Sequence, residues 1–116
     1  MQPPTLLENA VDSHPVLIAD AAGVIIFWNA GAEQAFGHGA REAVGQTLDL
    51  IVPPEFREAH WRGFRAAMAA GEAGVEGQAT PFPARHASGD VAERPGRLTL
   101  VREPGGRVIG AMVVFD

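Results

Sequence analysis

PVLIADAAGVIIFWNAGAEQAFGHGAREAVGQTLDLIVP, residues Pro15 to Pro53, holds two short apolar runs on either side of a tight turn. Pro15 to Asp20 and Val24 to Trp28 are rich in residues that favour strands, and Gly23 in the Ala21-Ala22-Gly23 link can take positive φ. The pair reads as a hairpin. Asn29 then stands where a helix N-cap is wanted, and Ala32, Ala35 and Phe36 share one helical face before Gly37 closes the segment. A second small helical turn, Ala40 to Val44, runs into Gly45. Leu48, Leu50, Ile51 and Val52 make an apolar link to the next helix.

Downstream, PEFREAHWRGFRAAMAAG from Pro54 to Gly71 is a longer helix, with proline in its first turn and glycine just past its last periodic residue. Phe56, His60, Phe64 and Met68 recur every four residues, while Arg57, Glu58, Arg62 and Arg65 fall largely on other faces. One apolar face therefore carries one imidazole. A histidine on such a face must find a hydrogen-bond partner or a metal, because a buried unpaired polar nitrogen costs roughly 1–3 kcal/mol.

After Gly71 the pattern turns to strand. Gly74 to Arg85 is broken by Pro81 and Pro83, which predicts an edge or bulged strand. Pro95-Gly96 delays the next strand to Arg97–Arg102, and Pro104-Gly105-Gly106 turns the chain into a last strand, Arg107 to Phe115. Upstream, Thr5 to Asp12 has helix-like spacing, so residues 1–14 are expected to form an amino-terminal helical segment ahead of a domain at 15–116. Five short strands need a common sheet, with the helices across one side. An antiparallel α+β domain is expected, with a pocket between sheet and long helix into which His60 points.

Composition narrows the function. With no cysteine, disulfides, thiolate metal sites, cysteine nucleophiles and a flavin–cysteinyl photocycle are excluded, and with no tyrosine so is chromophore chemistry that needs a phenol. A formal charge of −5 offers no basic footprint, so no nucleic-acid contact is expected. No run approaches the roughly 20 apolar residues of a membrane span, and the amino terminus lacks the layout of a secretory signal. No membrane partner and a cytoplasmic location are therefore expected. Glu33, Glu42, Asp49 and Glu55 fall at helix caps and first turns, where carboxylates suit the helix dipole, and Ser13 and Ser88 have no neighbouring base. A binding module rather than an enzyme is expected.

The chain resembles the PAS family of sensory domains. The resemblance rests on Pro15 to Pro53, with its Asp-x-x-Gly turn, Trp-Asn strand end, Ala-x-x-x-Phe-Gly and later Val-Gly-Gln, and on the closing GGRVIGAMVVFD, Gly105 to Asp116. It implies a five-stranded antiparallel sheet in the order 2-1-5-4-3, with a small molecule or nothing held under the long helix. Glu58-Ala59-His60, Gly63-Phe64, Met68 and Gly71-Glu72 further resemble the haem-binding PAS domains of oxygen-sensing nitrogen-fixation kinases, in which a histidine of this helix is the proximal ligand to haem iron. His60 matches it.

That resemblance implies haem b held through His60, for sensing a diatomic gas or redox state. A neutral imidazole suits haem iron and leaves its sixth position for a gas. Phe64, Met68, Val75, Leu98, Leu100 and the last strand would wall the porphyrin, and Arg62 and Arg65 are candidate partners for its propionates. Thr80 stands where those kinases carry an arginine; a hydroxyl donates a hydrogen bond but no charge, so gas preference and signalling are expected to differ. The family also implies a homodimer and an output domain such as the histidine kinase of a two-component system. An alternative is a PAS domain with another small-molecule ligand or none, acting in dimerisation and signal relay, and a third is a flavin or metabolite enzyme on the same fold. His14, His38 and His86 are expected in exposed or turn positions, Trp61 at the domain rim or a dimer surface, and Trp28 in ordinary core or rim packing.

Overall fold

The structure, a computed structural model, describes residues 14–116. The helical segment expected at Thr5 to Asp12 lies outside the described residues. The strands are β1 (Val16–Asp20), β2 (Ile25–Trp28), β3 (Ala79–Arg85), β4 (Val91–Arg102) and β5 (Val108–Phe115). They form one antiparallel sheet in the order β2-β1-β5-β4-β3, as the family resemblance implied. Between β2 and β3 run α1 (Ala30–Phe36), α2 (Ala40–Ala43) and α3 (Arg57–Ala70), with 3-10 turns at Leu48–Leu50 and Pro54–Phe56.

Alternation along the strands decides which face is covered. Leu17 and Ala19 of β1, Leu100 of β4, and Ala111 and Phe115 of β5 are buried on the helix side. Phe36 of α1 is wedged among aromatics there, 5.5 Å from Trp28 and edge-on to Phe115 at 5.1 Å. Trp28 is 4 % exposed and its indole N–H donates to the His38 carbonyl, which makes it a core residue.

Asn29 joins these layers. Its Oδ1 accepts from the backbone N–H of Val16 and of Ala32, both at 2.9 Å, and its Nδ2 donates to the His14 carbonyl at 2.8 Å. The N-cap expected from sequence is thus also the tie between α1 and the start of β1.

Two strands differ from their expected bounds. β4 begins at Val91 rather than Arg97 and runs straight through Pro95-Gly96. Proline is tolerated there because Pro95 lies opposite Pro81, and a pair of prolines can only be a non-hydrogen-bonded pair of the ladder. The nitrogens of Pro81, and of Pro83 two residues on, then face the open edge of β3, where no donor is needed. Pro95 faces β5 only where that strand ends, and its carbonyl accepts from the Asp116 N–H at 2.9 Å.

β3 in turn begins at Ala79 rather than Gly74, because residues 74–78 form turns that use positive φ at Gly77. Where β3 stops short, Glu76 covers the margin of β4. Its carboxylate accepts from the Leu100 N–H at 2.8 Å and pairs with Arg102. The Arg102 hydrogen bond, then the Leu100 N–H, hold that carboxyl below its usual range.

Asn29→Ala is expected to lower unfolding stability by about 1–3 kcal/mol, measured by denaturant titration, since it strands buried N–H groups and removes a cap. A loss under about 0.5 kcal/mol, within the range of ordinary surface changes, would count against its joining role.

Candidate functional site

α3 stands over the sheet without any fully buried residue. Its beginning is held by polar contacts. Arg57 donates to the carbonyls of Val52 and Asp49, each at 3.1 Å, and the Trp61 indole N–H donates to Asp49 Oδ1 at 2.8 Å. The same indole lies against Gly23 in the β1–β2 turn, where a Cβ would come within 2.3 Å of the ring and where φ is +82°. Glycine is required there on both counts.

Between α3 and the sheet are two adjoining hollows. The inner one, about 350 Å³, is lined by Leu17 and Ala19 of β1, Leu48, Ile51 and Val52 of the link, and Phe82, Val113 and Phe115 of the sheet. The outer one, about 540 Å³, lies under the second half of α3 against Met68, Ala73, Val75, Leu98 and Leu100. Ala59, His60, Phe64, Leu98 and Ala111 border both. Each is of the size that holds a small organic ligand.

His60 is the one titratable side chain on the inner hollow among the described residues; Glu72 joins it on the outer. Its ring is half-buried, edge-on to Trp61 at 4.8 Å and roughly stacked on Phe64 at 6.0 Å. Nδ1 is buried and has no hydrogen-bond partner among the described residues. Burial pushes the His60 pKa below its ordinary value, partly offset by the Asp49 carboxylate. The imidazole is therefore neutral at pH 7, with a lone pair available to a metal or a donor and one N–H for an acceptor. Among the described residues no cluster of three or more histidine, aspartate or glutamate side chains could hold a metal ion by itself.

Of the residues singled out from sequence, His60, Phe64, Met68, Val75, Leu98 and Leu100 meet around these hollows. Three stand apart. Arg62 is exposed and pairs with Glu58 at 3.1 Å, Arg65 lies over the outer face of Trp61 at 5.9 Å, and Thr80 donates its hydroxyl to the Gln78 carbonyl. None of the three lines either hollow. Leu17, Leu48, Ile51, Phe82 and Ala84 were not singled out, although strand alternation could have offered Leu17 and Phe82. His38 Nδ1 meets Glu42 and His86 Nδ1 meets Ser88 at 3.1 Å, both at turns away from the hollow. No helix among the described residues is long and apolar enough to cross a membrane.

Known proteins agree with this architecture. An uncharacterised protein of Azorhizobium caulinodans is 32 % identical over 113 residues, covering 96 % of this chain and 15 % of that protein. The oxygen sensor protein DosP of Escherichia coli K12 is 34 % identical over 53 residues, 46 % of this chain and 7 % of that one. The chain thus spans a small part of the length of the curated relatives it matches. The crystal structure of the PAS domain of a Colwellia psychrerythraea protein superposes with a TM-score of 0.77 at 19 % identity, over 93 % of this chain and 90 % of that one. The sequence pattern of the PAS fold matches residues 3–116, and with the sheet order and the hollow beneath α3 it establishes that this chain is a sensory domain of the PAS family.

Proposed function

We propose that this domain senses a diatomic gas or redox state through haem b held by His60 in the hollow beneath α3. The observation that carries the reading is the buried, unpartnered Nδ1 of His60 within walls that are otherwise almost wholly apolar. Such a nitrogen costs roughly 1–3 kcal/mol in the empty domain, and a ligand that bonds to Nδ1 itself relieves it. Burial keeps that imidazole neutral, the form that ligates a metal. The similarity to an oxygen sensor protein over 53 residues supports the same class of signal.

The residues fit haem in donor and walls. His60 would ligate iron, and Phe64, Met68, Val75, Leu98 and Leu100 would exclude water from the macrocycle. When bound, haem b supplies an iron with a free position for a small gas. Among the described residues no arginine or lysine lines either hollow, so carboxylates of the ligand belong in solvent rather than against the walls. Apart from His60 and Glu72 the lining side chains carry no hydrogen-bonding group, so selection among gases would follow size and polarity of the walls rather than a dedicated donor. A homodimer and a fused output domain such as a histidine kinase complete the proposal.

Titration of the purified domain with haem is expected to give a Soret band saturating at one equivalent. His60→Ala should abolish that band while the far-ultraviolet circular dichroism stays unchanged. A band that persists in His60→Ala moves the ligand to another residue. Absence of a band in the parent domain favours a different small molecule, sought by native mass spectrometry of protein taken directly from cells.

The pH dependence has a definite sign. With its folded pKa below the ordinary value of about 6.5, His60 binds protons more readily in the unfolded chain. Its contribution to stability is complete above pH ~6.5 and is lost as pH falls below that value toward the folded pKa. Haem-free parent domain should therefore lose more thermal stability between pH 7 and pH 5 than His60→Ala does. Equal losses in the two proteins would remove the buried neutral imidazole from the account.

A further inference from the structure

We propose that Phe64 is the partition that sets the size of ligand the domain accepts. In its observed position it stands between the two chambers beneath α3, each suited to a small molecule. A smaller side chain at that position would join them into one space for a long apolar molecule. The inference rests on the reading of these hollows as the ligand site, and does not require that the ligand be haem.

Five side chains border both chambers, and their positions differ in freedom. Leu98 and Ala111 belong to β4 and β5, whose backbones are fixed by the ladder. Ala59 is too small to divide anything. His60 is braced edge-on against Trp61, which Asp49 holds by its indole N–H. Phe64, half-buried on α3, is the one of the five that also packs against both parts of the core.

The core has the same division. One buried cluster gathers around β1, β2 and α1, and a second is formed by Leu100, Val108 and Ala111. Among the described residues Phe64 is the one side chain packed against both. A ring packed against both clusters stands at the boundary between them, where shortening it opens one chamber to the other. Its contacts with His60 and Trp61, at 6.0 and 5.5 Å between ring centroids, are ordinary aromatic contacts that hold the ring between the chambers.

The test uses 1,6-diphenylhexatriene, a rod-shaped apolar fluorophore that is dark in water, with parent, Phe64→Ala, Phe64→Leu and Phe64→Trp domains. Phe64→Ala is expected to bind the probe at least about tenfold more tightly than the parent, Phe64→Leu to fall between them, and Phe64→Trp to bind it more weakly than the parent. Should Phe64→Ala fail to fold by circular dichroism, Phe64→Leu against Phe64→Trp decides. Equal affinities across the series would overturn the partition. Haem titration of the same four proteins separates the two proposals: an intact probe series with no Soret band in any protein leaves the partition and removes haem, whereas a Soret band with a flat probe series does the reverse.

Discussion

The Asp49 carboxylate, met by the Trp61 indole N–H at 2.8 Å and approached by Arg57 at 3.7 Å, places α3 over the sheet. No side chain of that helix is fully buried, so polar contacts near its beginning add to the packing of Trp61, Phe64 and Met68 against the core. The remainder of α3 can then stand away from β4 and β5. Small residues on its underside, Ala59, Gly63, Ala66, Ala67 and Ala70, leave the space beneath it.

The same carboxylate reaches the imidazole. Burial lowers the His60 pKa and Asp49 raises it, so the group that anchors the helix also moderates the electrostatics of the hollow. Trp61 connects the two by geometry, with its ring at a steep angle to His60 at 4.8 Å and the Cζ3–Cη2 edge of its indole against Gly23 of the β1–β2 turn. The His60 ring therefore shares a neighbour with the β1–β2 turn.

Much of the fold was legible because its signals are local. Strand propensity on both sides of Gly23, the Asn29 cap and the four-residue repeat through Phe56, His60, Phe64 and Met68 each depend on neighbours in sequence. The start of β4 was not, since Pro95 is acceptable only because its nitrogen faces β5 where that strand ends, a fact of register that sequence spacing does not carry. The site was legible in the same uneven way. His60, Phe64 and Met68 follow from the four-residue repeat, and Leu98 and Leu100 from strand alternation. Arg62 and Arg65 do not reach the hollow because one is drawn to Glu58 and the other to the outer face of Trp61. Thr80, placed by counting from His60, satisfies its hydroxyl on the Gln78 carbonyl instead.

The proline pattern of β3 bears on how this domain behaves in company. A sheet margin that offers few N–H groups is a poor template for a strand from another molecule. At the opposite margin, the Ile25 N–H donates to the Gln46 carbonyl at 2.8 Å and the Gly45 N–H to the Ile25 carbonyl at 2.9 Å, so β2 is already occupied by its own chain. Lateral addition of a strand from another molecule is therefore disfavoured along β3 and at the Ile25 end of β2.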